Sequence, residues 1–313
     1  MKKNTFLLLG YSSIARKRII NVFLKNKIEF SVASKSFSKD IYGAKEKFSD
    51  YEGALLNSDA NIVYISLPNS LHFNLAKKAL LLGYHVIIDK PMCCKLIESR
   101  ELIKIAKKKK KLLSEAIFYN HHKQIKTIIN LIKNKKKIDL INVNFTIPIP
   151  QKKSLLMSSK LKGGVIMDMG PYASSIHRIF FDKKIIYSKM NFTKNKYNLP
   201  LSFEFKIKYN GSKYFGLFKF GGKYNNQVVF HIKKKKISIE RVFSPPDDLQ
   251  LNLKILENNK KKLVVLKKDN CCENYLLEVM KKINNKNFSY YYKQIEQDHI
   301  FRNKIEKRFL KTF

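Results

Sequence analysis

Thr5-Phe6-Leu7-Leu8-Leu9-Gly10-Tyr11-Ser12-Ser13-Ile14-Ala15 is the stretch that decides the fold. A short apolar run closed by a turn signal reads as a buried strand, and apolar residues then return at helical spacing from about Ile14 to Lys25. The junction has the spacing G-x-G-x-x-G/A, with Ser12 in place of the second glycine and Ala15 in place of the last. Gly10 allows the tight turn, Ser12 is small enough for a pyrophosphate to come close, and Ala15 lets the helix lie against the strand. Ser13 and Ile14 complete the turn as candidate contacts. An ordinary strand-turn-helix junction has the same look, so the rest of the chain must decide.

Working outward, short apolar runs alternate with helical patterns over the first 118 residues. Strands are predicted at Thr5 to Leu9, Glu29 to Ser34, Ile62 to Ser66, His85 to Ile88 and Lys111 to Ser114. Helices are predicted at Ile14 to Lys25, Asp40 to Phe48, Leu71 to Leu82 and Lys95 to Lys109. Alternation of this kind predicts βαβ units and a doubly wound parallel sheet, with the ligand crevice at the carboxyl ends of the strands. After Asn120 the pattern changes. A helix at Lys123 to Lys133, a strand at Asp139 to Ile147 and a helix at Gly164 to Phe181 come first. Strands follow at Ser202 to Lys208, Lys213 to Phe220, Gln227 to Ile232 and Lys236 to Val242, with Tyr209-Asn210-Gly211-Ser212 as a hairpin turn. Two helices end the chain from Asn274, joined at Asn284 to Asn287. The expectation is an α/β protein. Residues 1–118 form a Rossmann domain, and 119–313 form an α+β domain on a largely antiparallel open sheet.

The charge admits a polyanionic partner: 63 basic residues stand against 24 acidic ones, a formal net charge of +39. The excess is mostly Lys, dispersed, and accompanied by many Asn and Ile and no Trp, as AT-rich coding would give. Lys107 to Lys111, Lys135 to Lys137 and Lys233 to Lys236 fall at apparent element ends, where lysine stays solvated. No nucleic-acid module is visible, so no specific nucleic-acid partner is expected; the field would as well steer an anionic metabolite. Cys93-Cys94 and Cys271-Cys272 lack the C-x-x-C spacing of a metal or dithiol site, so no metal is expected and a reducing compartment fits best. The start lacks a small-x-small cleavage site and no stretch of 18 apolar residues occurs, so a cytoplasmic protein without a membrane span is expected.

Three further segments carry chemistry. The second strand ends in Ala33-Ser34-Lys35-Ser36, without the carboxylate that would hold the ribose 2′-hydroxyl of NAD. Ser34 and Lys35 suit a 2′-phosphate, so NADP is preferred and NAD is the alternative. Leu67-Pro68-Asn69-Ser70-Leu71-His72 follows the third strand and Asp89-Lys90-Pro91 the fourth, both at carboxyl ends. Gly163-Gly164-Val165-Ile166-Met167-Asp168-Met169-Gly170-Pro171-Tyr172 places Asp168 and Tyr172 four apart, on one helix face.

In this order the segments resemble the glucose-fructose oxidoreductase, inositol dehydrogenase and rhizopine-catabolism family (Gfo/Idh/MocA). Its P-N-x-x-H segment is matched by Pro68-Asn69-Ser70-Leu71-His72, its E-K-P by Asp89-Lys90-Pro91 with Asp for Glu, and its D-x-G-x-Y by Asp168 to Tyr172. The Tyr form and Arg178 resemble the branch that holds nucleotide-sugar 3-ketoreductases and dihydrodiol dehydrogenases. The resemblance implies hydride transfer between a nicotinamide and a sugar or nucleotide-sugar carbon. Tyr172 would move the proton, Lys90 would contact the substrate oxygen and tune Tyr172, and Asp168 would orient a hydroxyl or Lys90. Gly10, Ser12, Ser13, Ile14, Ser34, Lys35, Pro68, Asn69, His72, Lys90 and Glu115 would hold the cofactor. It further implies a homo-oligomer, dimer or tetramer, through the open sheet. A non-catalytic dinucleotide-binding sensor and a catabolic polyol or sugar dehydrogenase remain alternatives; keeping Lys90, Asp168 and Tyr172 together argues against the sensor. His121 and His122 either line the substrate pocket or form a solvated helix start, and His177, off the Tyr172 face, reads as structural.

Overall fold

The computed structural model describes residues 4–35, 41–132, 138–181 and 184–313. Ser36, the run Lys135 to Lys137, and the predicted helix ends Asp40 and Lys133 lie outside the described residues. The chain forms two compact units: Met1–Ile117 with Cys272–His299, and Phe118–Cys271 with Ile300–Phe313. The sequence division placed the whole tail with residues 119–313; in packing, 272–299 goes with the first unit.

The first unit holds a six-stranded sheet, all parallel: β1 (Phe6–Leu9), β2 (Phe30–Ala33), β3 (Ala44–Phe48), β4 (Ile62–Ile65), β5 (His85–Asp89) and β6 (Leu113–Ala116). Their order is β3-β2-β1-β4-β5-β6, the doubly wound order in which the crevice opens beyond β1 and β4. β1, β2 and β4 are buried at every residue, as a sheet covered on both faces requires. After the turn at Gly10 the helix opens with a wide π turn, Ala15–Ile19, and continues as α1 (Ile20–Lys25). Its Phe23 sits between Phe6 and Phe30, ring centres 4.6 and 5.3 Å away. Each such ring stabilises the fold by about 1.5–3 kcal/mol relative to exposure.

Asp40 to Phe48 was expected to be helical. Residues 44–48 are instead the edge strand β3, and the helix comes later as α2 (Tyr51–Asn57). An edge strand exposed along most of its length carries polar residues and hides its period of two. The overlooked start signal was Asp50, whose carboxylate accepts Gly53 N at 2.6 Å. α3 (Asn69–Leu81) and α4 (Leu96–Lys109) fall where the periodicity put them. α4 ends in Lys107, Lys108 and Lys109, cations at the negative end of the helix dipole.

The second unit begins with a 3-10 turn, Phe118–His121, and α5 (Lys123–Ile132). Its sheet has eight strands: β7 (Leu140–Ile147), β8 (Tyr187–Lys194), β9 (Pro200–Tyr209), β10 (Ser212–Phe220), β11 (Asn225–Ile232), β12 (Lys235–Glu240), β13 (Asn252–Glu257) and β14 (Lys260–Val265). The order is β14-β13-β12-β11-β7-β10-β9-β8, antiparallel except for β7 with β10. Tyr209 pairs with Ser212 across the predicted two-residue turn, where Gly211 has φ +72°. α6 (Val165–Phe180) packs against β9 and β10, over an inner face of Phe203, Phe205, Tyr214 and Phe218. β8, β13 and β14 were not predicted; their charged, exposed residues mask the alternation. Last come α7 (Cys271–Asn284) and α8 (Ser289–Thr312).

Candidate active site

In the first unit the predicted residues gather at the carboxyl ends of β1, β4 and β5. Gly10 has φ +97°, and a Cβ there would lie 2.2 Å from the Ser66 carbonyl oxygen, so only glycine fits. Ser12 caps the helix that follows, its Oγ accepting Ala15 N at 3.0 Å, and the same oxygen lies 2.6 Å from Ser66 Oγ. Ser13 and Ile14 are exposed beside it. Ser34 is buried at the end of β2, while Lys35 is exposed with its ammonium 5.7 Å from the Tyr51 ring centre.

Pro68 and Asn69 are half-buried at the start of α3. His72 is fully buried, its ring nitrogens 2.8 Å from Pro91 O and 2.7 Å from Leu67 O. It therefore ties the segment after β4 to the segment after β5. Lys90 is half-buried and precedes Pro91 through a cis peptide. Asp89 accepts the hydroxyls of Tyr64 and Ser66, both at 2.6 Å. Burial pushes the Asp89 carboxyl up, opposed by those two hydrogen bonds and by the charges of His72 and Lys90. Glu115, at 9% exposure, accepts Met92 N at 2.8 Å and faces His299 Nε2 at 3.4 Å. It anchors the chain just beyond Lys90-Pro91.

In the second unit α6 presents Asp168 and Tyr172, both half-buried. Gly164, with φ +95° and Pro200 packed against it, starts this helix. The Tyr172 ring stacks on Phe243 at 4.9 Å and meets the edges of Tyr119 and Phe145 at 5.8 and 5.6 Å. Three aromatic rings thus fix its orientation. His177 is held by the Tyr209 hydroxyl at 2.8 Å and stacks on Phe301 at 4.4 Å, which confirms a structural place; burial lowers it to about 4. His121 is half-buried, and Arg178 likewise.

Sequence reasoning passed over Asn120 and Gln124. With His122 they form a polar cluster, buried at His122 and Gln124 and half-buried at Asn120: His122 Nδ1 accepts Gln124 N at 3.1 Å, and Gln124 Nε2 donates to Val242 O at 2.8 Å. Asn120 Oδ1, His122 Nε2 and Gln124 Oε1 have no hydrogen-bond partner among the described residues. The available signal was five polar residues in a row, 120–124, beside the Tyr119 that packs on Tyr172. Ser66 and Tyr64, hidden inside a strand pattern, were also passed over.

Residues 9–117 match the oxidoreductase family with an NAD-binding Rossmann fold, Gfo/Idh/MocA. That match covers the N-terminal part of the chain, up to the end of its parallel sheet. Among curated relatives, it is 28% identical over 172 residues to a dTDP-3,4-didehydro-2,6-dideoxy-alpha-D-glucose 3-reductase of Streptomyces violaceoruber, covering 52% of this chain and 50% of that one. It is 27% identical over 183 residues to D-xylose 1-dehydrogenase (NADP(+)) 2 of Haloferax volcanii, covering 56% of each. The matches thus span about half the length of these curated relatives. Among solved structures, KijD10, a 3-ketoreductase from Actinomadura kijaniata in complex with NADP and TDP-benzene, superposes with TM-score 0.88 over 96% of both chains at 19% identity. That likeness shows that the chain shares the fold of that 3-ketoreductase.

The first unit passes a simple test of fit for a dinucleotide. Its glycine turn, packed against the Ser66 carbonyl, opens onto the first backbone N–H groups of a helix, the arrangement that takes up phosphate. Among the described residues no group of three His, Cys, Asp or Glu is placed to hold a metal. No disulfide joins the four cysteines, all of which lie among the described residues.

Proposed function

We propose that the chain is an NAD(P)-dependent oxidoreductase acting between a ketone and a hydroxyl at a sugar carbon, with a nucleotide-linked sugar as substrate. The observation that carries this reading is the Asp168–Tyr172 pair one turn apart on α6, in a chain whose β1 ends in the Gly10 turn. The curated 3-reductases, whose names specify dTDP-linked sugars, support the substrate class.

A nicotinamide dinucleotide held there supplies or takes up the hydride. The chain's own groups manage the proton. Reduction of a ketone builds negative charge on its oxygen, which needs a proton donor and a nearby cation. Tyr172 gives that proton and Lys90 stabilises the developing alkoxide; a neighbouring ammonium also makes a phenol a readier acid. Asp168 orients a substrate hydroxyl or Lys90. Gly10, Ser13 and Ile14 receive the pyrophosphate, with Ser12, Pro68, Asn69 and Glu115 shaping the surface around it. Ser34 and Lys35 favour the 2′-phosphate of NADP over NAD. The working form is a cytoplasmic homo-oligomer, to be read by sedimentation.

The experiment is a substrate panel with NADPH and NADH, followed by absorbance at the nicotinamide band. Reduction of a diphosphate-linked ketohexose, faster with NADPH, is the expected result. Turnover of free aldoses or polyols, with no reaction or competition by nucleotide sugars, replaces this reading with a catabolic dehydrogenase, the activity named for the Haloferax relative. Dinucleotide binding without any turnover replaces it with a sensor. Lys35→Asp should move preference towards NADH.

A further inference from the structure

Ser66 stands between two parts of the first unit that sequence reasoning treated separately. β4 lies between β1 and β5 in the sheet, so the residue that follows β4 faces both the Gly10 turn and the Asp89-Lys90 segment. Ser66 is 2% exposed. Its carbonyl oxygen is the atom that forbids a side chain at position 10. Its hydroxyl lies 2.6 Å from Ser12 Oγ on one side and 2.6 Å from Asp89 Oδ2 on the other.

Proton counting fixes the direction of this row. A carboxylate accepts, so the single Ser66 proton goes to Asp89. Ser12 must then donate its own proton to Ser66, while its oxygen accepts the Ala15 N–H. Asp89 Oδ1 accepts a second hydrogen bond, from the hydroxyl of the fully buried Tyr64. The row therefore runs one way, from the first turn of the helix after Gly10 to the carboxylate beside Lys90. With that proton committed, the Ser12 side chain is not a donor to phosphate; the turn offers its backbone N–H groups instead. A glycine at position 12, as the dinucleotide spacing usually has, would leave Ser66 without this partner. Hydrogen bonds in a buried row polarise and strengthen one another, so the middle hydroxyl matters to both ends.

We propose that Ser66 is a positioning residue that couples the dinucleotide turn to Lys90, through Ser12 on one side and Asp89 on the other. The proposal rests on the reading of the Gly10 turn as a dinucleotide site and of Lys90 as a group acting on substrate. It adds to that reading a residue that touches neither ligand, and it gives Ser12 a task other than phosphate contact.

The test is a double-mutant cycle read by NADPH fluorescence titration on the full chain. Ser12→Ala and Asp89→Asn are made singly and together, first with Ser66 present and then in the Ser66→Ala background. With Ser66 present, the loss of affinity in the double variant should differ from the product of the two single losses by about threefold or more, as for residues in one hydrogen-bonded network. In the Ser66→Ala background the losses should multiply. Ser66→Ala alone should weaken NADPH binding and lower kcat while KM for the sugar stays put, and Ser66→Thr, which keeps the hydroxyl, should restore both. Multiplying losses with Ser66 in place, or a folded Ser66→Thr that restores neither, overturns the proposal. Coupled NADPH binding in a protein that turns over no sugar keeps the Ser12–Ser66–Asp89 coupling and sinks the oxidoreductase reading. Failure to bind either dinucleotide sinks both.

Discussion

Tyr172, the proposed proton donor, has its ring fixed by Phe243, Tyr119 and Phe145. Tyr172→Phe keeps the packing and removes the proton, so turnover should fall about 10²-fold or more while NADPH affinity barely changes. Near-normal turnover would pass the acid role to another group, with His122 the first to examine. Lys90→Met should be at least as damaging. Two histidines give a prediction on stability. His85 and His177 are each lowered to about 4 by burial, with Lys111 and Lys304 adding to it, while the free side chain titrates near 6.5. Between those values the unfolded chain binds more protons, so stability rises with pH across that window. It is fully present above 6.5 and lost as pH falls to about 4, by about 3 kcal/mol for each ring. Urea unfolding at pH 7 and pH 4.5 should show the loss. His177→Phe keeps a ring against Phe301 and should flatten the slope; an unchanged slope would remove His177 from the account.

Among the elements, β9 and β10 are locked by one close fit. Gly216 pairs with Phe205 across the strands, and a Cβ at Gly216 would come 2.4 Å from the Phe205 ring. That ring is 1% exposed and packs edge-on to Tyr214 at 4.7 Å, so it has little room to yield. Gly216→Ala should therefore destabilise by about 1–3 kcal/mol, although Ala in a strand is ordinarily the better residue. A midpoint in urea equal to or above that of the parent would show that the ring moves aside. β1, β4 and β5 were legible because a strand covered on both faces is an unbroken apolar run. α6 was legible because its apolar residues recur at helical spacing. β3, β8, β13 and β14 were not, since at a sheet's edge or outer strands charged side chains meet solvent and erase the period.

At the scale of the whole molecule the formal net charge is +39. Exposed pairs such as Lys45–Asp59, at 2.6 Å, offset it locally and add little stability. The field should raise the local concentration of an anionic substrate, so the advantage of a diphosphate-linked sugar over the free sugar should shrink as salt is added. An advantage independent of salt would mean that specific side chains grip the phosphates. A DNA probe should bind weakly, with a steep salt dependence; tight binding that survives salt would reopen the nucleic-acid reading.

The sequence by itself determined the doubly wound class of the first unit, the Gly10 turn, the positions of Lys90, Asp168 and Tyr172 on their elements, and the hairpin at Asn210-Gly211. Each is set by residues within a few positions of one another, through period, turn chemistry or a missing Cβ. Tertiary structure alone decided that Ser66 joins Ser12 to Asp89, that His72 bridges the carbonyls of Leu67 and Pro91, and that Glu115 anchors Met92. Ser12 and Ser66 are 54 residues apart, and Ser66 and Asp89 are 23 apart. Such pairs meet because parallel pairing aligns the ends of strands that helices separate along the chain. A buried hydroxyl or imidazole leaves no periodic mark in the sequence; its partner is chosen by the register of the sheet.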